Sequence, residues 1–358
     1  MAIWWLRDMS ESNRKSVVDR VRRRLLAAAA GIACVATAGA GVAVESTPPP
    51  RAVDVLGAPS NLGLRPLRAG HVPGAARAPK ALRAHDLLRR LGATDHGDVA
   101  APAYQPVRDP LSGYRNGVGL AAYTRDLAQR VGEVLDRGRF TLVLGGDCSV
   151  LLGSTLALKR RGRSGLLFID GHTDFYVRPV SETSSAAGTD LALATGHGPP
   201  ALVGIDALAP YMREDDTVVF GYRDYGEPER SDVERFESAA FARYPLRQVR
   251  ALGASAAMGE ALRRLERSEL DGFWIHVDVD VLDPKIMPAV DSFDPGGLEF
   301  AELEDALATA LASPHVRGME LTIYDPDLDP DGHLGEQLVA LLERAFTRAR
   351  LTGTRNSA

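Results

Sequence analysis

From residue 53 onward, short apolar runs alternate with longer stretches in which apolar residues return every three or four positions. The runs 140-FTLVLGG-146, 165-GLLFID-170, 217-TVVFGY-222, 273-FWIHVDVD-280 and 318-GMELTIY-324 have the length and β-branched or aromatic content of buried strands. A further short strand begins at 53-VDVLGAPSNLG-63, where Gly, Pro and Asn then break it. Helical spacing predicts helices over 80–92, 118–138, 150–161, 256–268, 299–312 and 334–350, with Leu82, Leu87, Leu88 and Leu91 sharing one face of the first. A loop rich in Ser, Thr, Gly and Pro fills the interval from 171 to about 200. Strands alternating with helices predict an α/β fold whose mostly parallel sheet is covered on both faces.

That architecture directs attention to the strand ends, because ligands of open parallel sheets bind beyond the carboxyl ends of the strands. Three predicted strands end in polar residues: Asp147-Cys148, then Asp170-Gly171-His172-Thr173-Asp174, then Asp278-Val279-Asp280. In extended chain Asp170, His172 and Asp174 point one way, as do His276, Asp278 and Asp280. Either motif alone is as readily a solvated loop or a turn cap. Both at one sheet edge, with Gly-Gly-Asp-Cys on a third strand, crowd carboxylates that repel one another and resist desolvation. Metal dications remove that penalty. An oxygen-rich set with one or two nitrogens suits Mn²⁺, and two such ions about 3.5 Å apart would ionise a water between them.

Composition narrows the picture. The net charge of −5, with no basic block after the N-terminal segment, gives no footprint for nucleic acid. Two cysteines, Cys34 and Cys148, make no disulfide framework. Residues 1–50 differ from the rest: Arg22-Arg23-Arg24 precede the Ala- and Gly-rich run 25–44, and three prolines follow at 48–50. This segment reads as an export signal, a weak membrane anchor or a tail from an early start codon, outside the core in each case. The organisation expected is a segment over 1–50, one domain over 51–351 and a fraying tail over 352–358.

The motifs 145-GGDCS-149, 170-DGHTD-174, 277-VDVDVLDP-284 and 318-GME-320, with the earlier 57-GAP-59 and 79-PKALR-83, resemble those of the ureohydrolases, the family of arginase, agmatinase and formimidoylglutamase. The resemblance spans about residues 53 to 350 and implies a three-layer α/β/α fold. It implies two Mn²⁺ ions held by Cys148, Asp170, His172, Asp174, Asp278 and Asp280, with Asp170 and Asp278 bridging. It also implies hydrolysis of a C–N bond in a linear amidine, by attack of a metal-bound hydroxide on the planar carbon of a small guanidino or amidino compound. Glu320 matches the carboxylate that holds the substrate's cationic guanidinium. Trimers or hexamers and a cytoplasmic location are common in the family; export through residues 22–44 is the alternative location.

The chain departs from the family pattern at three places. Cys148 stands where the family usually has His, and a soft thiolate suits Mn²⁺ less well than imidazole does. In the loop after Asp174, Tyr176 replaces the Asn of arginase and the Ser and Thr residues are displaced, while Gly226 stands where arginase has an Asp, so recognition of plain L-arginine is not expected. The family's proton-transferring His falls at either Asp190 or His197, of which His197 has the matching chemistry. The Cys148 change leaves two rivals open: a metal-binding or scaffold homologue without turnover, and a hydrolase of a formimidoyl or other linear amide substrate.

Overall fold

The computed structural model describes residues 52–176, 185–223 and 230–349. The N-terminal segment 1–50 with its signal-like run, the tail 352–358, Arg178 and Gly226 lie outside the described residues.

Eight parallel strands form one sheet: β1 (Val53–Ala58), β2 (Thr94–Asp98), β3 (Phe140–Gly145), β4 (Gly165–Ile169), β5 (Thr217–Phe220), β6 (Ala242–Tyr244), β7 (Phe273–Asp278) and β8 (Val316–Thr322). Their order across the sheet is β2-β1-β3-β8-β7-β4-β5-β6. Every pairing is parallel, so each connection is a crossover that lays helix over the sheet. The inner strands β1, β3, β4 and β7 are buried at every residue, as expected of strands covered on both faces.

One face is covered by α1 (Gly117–Leu135), α2 (Leu151–Lys159) and the short α3 (Asp190–Ala194), whose Leu127, Leu156 and Leu191 share a core with Leu56, Val143, Phe168 and Trp274 of the sheet. The other face is covered by α4 (Ala254–Leu265), α5 (Phe300–Leu311) and α6 (His333–Arg348), whose Leu265, Leu307 and Leu342 pack with Val55, Leu142, Ile275 and Leu321. Alternate residues of each strand thus feed two separate cores, the three-layer arrangement that the pattern predicted. The expected strands are present, and so are the expected helices except the one over 80–92, which is two short helices, Ala78–Ala84 and Leu87–Leu91, broken at Asp86 where φ is 59°.

Two strands lie outside the sequence reading. β2 (Thr94-Asp95-His96-Gly97-Asp98) is polar and largely exposed at one edge of the sheet, and β6 has only three half-buried residues at the other. Edge strands need no apolar run, so hydrophobic periodicity does not mark them. Among the described residues, no helix is long and apolar enough to cross a membrane.

Candidate metal centre

The sheet order brings the polar ends of β3, β4 and β7 to one edge, with β8 between β3 and β7. After β3 the chain passes Gly146, where an added Cβ would meet the Ser60 carbonyl oxygen at 1.9 Å, so only glycine lets the backbone turn there. Asp147 is spent on that turn. Its carboxylate accepts the Ser60 hydroxyl at 2.6 Å and the Ser149 N–H at 2.9 Å. Cys148 is fully buried, with Sγ 2.6 Å from Asp278 Oδ2 and 3.2 Å from Thr322 Oγ1. Burial, then the negative charges of Asp278, Asp190 and Asp170, push its thiol well above the ordinary value. The thiol donates a hydrogen bond to Asp278.

The motif after β4 is held on that after β7. The His172 N–H donates to Asp170 Oδ1 at 2.6 Å, and the Gly171 N–H donates to Asp280 Oδ1 at 3.1 Å. Asp278, the last residue of β7, accepts the Asp280 N–H at 2.7 Å and so caps the turn over Val279–Val281. The His172 ring lies between carboxylates: Nδ1 is 3.0 Å from Asp280 Oδ2, and Nε2 is 3.0 Å from Asp294 Oδ2. Burial opposes its charge, but Asp280 and Asp170 raise the imidazole well above its usual range. Asp280 responds in kind: burial works against ionisation, and His172 pulls the carboxyl below the usual value. The extended alternation expected through Asp174 stops at that residue, where φ is 42° and the chain turns into the left-handed region. Asp174 remains buried beside the others.

Four of the buried acids are held above their ordinary range. Burial is the first cause for Asp170, Asp174, Asp278 and Asp190, and their mutual charges add to it. Asp170 Oδ2 and both oxygens of Asp190 are buried without a hydrogen-bond partner. Such atoms are costly unless a proton or a cation meets them. Asp170, His172 and Asp280 each offer a ligand atom, all within 4.8 Å of one another. Two carboxylate oxygens and one imidazole nitrogen fit a hard or borderline dication.

The remaining expected site residues divide. Asp190, in the first turn of α3, is fully buried, and its carboxyl is raised by burial and then by Asp170 and Asp278, so it belongs to the cluster. His197 does not join it. Its ring keeps about a third of its side-chain exposure, bonds to Glu214 Oε1 at 2.8 Å and packs edge-on to Phe175. Of the two residues, Asp190 stands among the buried acids and His197 does not. Glu320 lies inside β8, two residues before the strand ends at Thr322, and is wholly buried. Its oxygens meet the Ser154 hydroxyl at 2.5 Å and His276 Nδ1 at 2.7 Å, both within the layer between β8 and α2.

Sequence reasoning missed Asp294 and Asp291. Both lie in 291-DSFDPGG-297, a Gly/Pro loop with no strand to place it, and Asp294 meets the His172 ring only through the fold. Burial, then the charge of Asp280, pushes Asp291 up to about 6. Arg223 was also missed. It donates to the Asp280 and Asp294 carbonyl oxygens at 2.8 and 3.1 Å, pinning that loop to the end of β7.

The chain matches the model of the arginase family over residues 51–346. It is 29% identical over 304 residues to an arginase of Staphylococcus aureus (strain COL), an alignment covering 83% of this chain and 97% of the relative. Among solved structures, the arginase of Bacillus caldovelox superposes with a TM-score of 0.73 at 27% identity, over 83% of this chain and 98% of its own. A formimidoylglutamase of Bacillus subtilis shares the fold at 18% identity, with a TM-score of 0.66 over 85% of this chain and 88% of its own. With a family model matched over most of its length and the same layered fold around a cluster of buried acids, the chain belongs to the arginase family.

Proposed function

We propose that this protein is a metal-dependent hydrolase that cleaves a C–N bond of a small guanidino or amidino compound. The observation that carries the reading is the cluster itself: four buried carboxyls held above their usual range, with unpartnered oxygens on Asp170 and Asp190, at one sheet edge. Asp170, His172 and Asp280 would hold one dication; Cys148 and Asp174 would hold a second, with Asp170 and Asp278 shared between the two. When bound, such ions lower the pKa of water and neutralise charge that develops on the attacked carbon's substituents. Asp278 and Asp170 keep these ligands in register, through the cap on Asp280 and the bond to the His172 N–H. Asp190 is the acid–base group in this reading, because its carboxyl is buried, raised and without another hydrogen-bond partner.

With Glu320 committed inside the sheet, recognition of the substrate falls to other groups. A cavity of about 430 Å³ is lined by Thr173, Phe175, Tyr176, Tyr222 and Phe236, with Arg243 and Asp232 among its polar groups. Its aromatic wall favours a substrate whose tail is apolar or aromatic over plain L-arginine. The thiol bonded to Asp278 favours the rival reading, a homologue that binds metal without turnover.

The test is release of urea or ammonia from a panel of guanidino, amidino and formimidoyl compounds by protein loaded with Mn²⁺. Turnover of at least one, abolished by chelation and restored by metal, is the expected result. Protein carrying two Mn²⁺ that remains inert across the panel would overturn the hydrolase reading and leave the rival.

A further inference from the structure

Beneath the metal cluster, a row of side chains crosses three strands. The register sets Phe168 of β4 beside His276 of β7, and His276 beside Glu320 of β8. Neighbours in register point to the same face, and here that face is covered by α2. The Ser154 hydroxyl donates to Glu320 Oε2, and the other oxygen, Oε1, lies 2.7 Å from His276 Nδ1. Phe168 stacks on the imidazole, with ring centroids 4.8 Å apart and planes within 8°. The ring is thus fixed along one edge and over one face, in a wholly buried position.

Only Nε2 of that ring has no hydrogen-bond partner. It lies 3.7 Å from Asp190 Oδ2, on a carboxylate whose oxygens are also unpartnered. Two buried polar groups that face each other without other partners are costly to keep in a core that an aliphatic residue would fill. The gap is slightly longer than a hydrogen bond, and a small rotation of the carboxylate closes it.

We propose that His276 is a positioning residue: Ser154 and Glu320 fix its ring, and its Nε2 fixes the Asp190 carboxylate beside Asp170 and Asp278. The effect on turnover rests on the hydrolase reading. The contact between ring and carboxylate does not, and the experiment reads the two separately.

Selective ¹⁵N labelling displays the ring nitrogens of the chain's eight histidines, and the spectrum of His276→Asn assigns those of His276 by their loss. In the full-length protein, Asp190→Asn is expected to move the His276 Nε2 resonance and leave Nδ1 nearly unchanged, whereas Glu320→Gln moves Nδ1. An Nε2 signal indifferent to Asp190→Asn overturns the proposal whatever the protein catalyses. For turnover, His276→Asn keeps an amide near the Nδ1 position and loses the reach to Asp190, while His276→Gln places its amide near Nε2. The expected result is a fall in kcat of tenfold or more for the Asn variant, of the order that a misplaced group costs, with KM and bound Mn²⁺ unchanged and partial recovery in the Gln variant. Equal losses in both variants, or none in the Asn variant, would contradict a positioning role. Absence of turnover in the native protein would instead sink the hydrolase reading, and the resonance shift would still decide the contact.

Discussion

The two ends of the metal cluster are built from the same sheet edge but with different chemistry. At one end, Asp170, His172 and Asp280 already converge, and the imidazole carries its charge between Asp280 and Asp294. A cation arriving there meets an ionised Asp280 and displaces a proton from a ring aimed at the right oxygens. At the other end Cys148 holds its proton against Asp278, and both groups are pushed up by burial and by neighbouring charge. A cation there must expel the thiol proton and ionise buried acids before it gains its ligands. Strand ends set where ligands stand; the identity of one side chain, sulfur for imidazole, sets how readily they act.

The largest effect that this contrast predicts is from Asp278→Ala, because Asp278 is the proposed ligand shared between the ends. Elemental analysis should find neither Mn²⁺ retained, and turnover should fall by about a thousandfold or more, the scale of losing metal-assisted catalysis. Retention of one ion would mean that Asp278 serves one end only. Next in size, Cys148→His should raise Mn²⁺ affinity at the thiol end by about tenfold or more, as imidazole suits that ion better than sulfur. An unchanged titration would mean that Cys148 does not face a cation.

A smaller effect concerns pH in metal-stripped protein. Asp170, Asp174, Asp190 and Asp278 bind protons more tightly folded than unfolded. Where the folded state holds more protons, stability falls as pH rises. The loss should begin above the ordinary carboxyl value of 3.8 and continue past about 6, where Asp291 titrates. Thermal melts should therefore give a lower Tm at pH 8 than at pH 5, and Mn²⁺ should raise Tm most at the higher pH. A Tm that rises steadily over that interval without metal would contradict the charge crowding. The smallest effect is from His197→Ala: with its ring on Glu214, turnover should change by less than about twofold, well short of the ~10²–10⁴-fold contribution of a proton-transferring group.

The parts legible in the sequence were those in which a local pattern carried the information. Apolar runs ending in Asp-Gly-His-Thr-Asp and Asp-Val-Asp marked buried strands with polar ends, and the fold brought Asp170, His172 and Asp280 together there. Asp190 and His197 could not be told apart in the sequence, since both fall in the interval after Asp174; packing sets Asp190 among the buried acids and His197 on Glu214. Nothing local to Glu320 announces that its oxygens meet Ser154 and His276, because both partners stand on elements distant in the chain. The row Ser154–Glu320–His276–Asp190 was not legible at all, because it depends on β7 lying beside β8, strands 38 residues apart in the chain when counted from Asp278 to Val316. Asp294 reaches His172 across 122 residues, and no local signal announces that contact.

The contrast between the two ends is tested most directly by calorimetric titration of metal-stripped protein with Mn²⁺ near neutral pH. The account predicts two steps, a tighter one that disappears in His172→Ala and a weaker one that strengthens in Cys148→His. A single step with two equivalent sites, unaltered by either substitution, would contradict it.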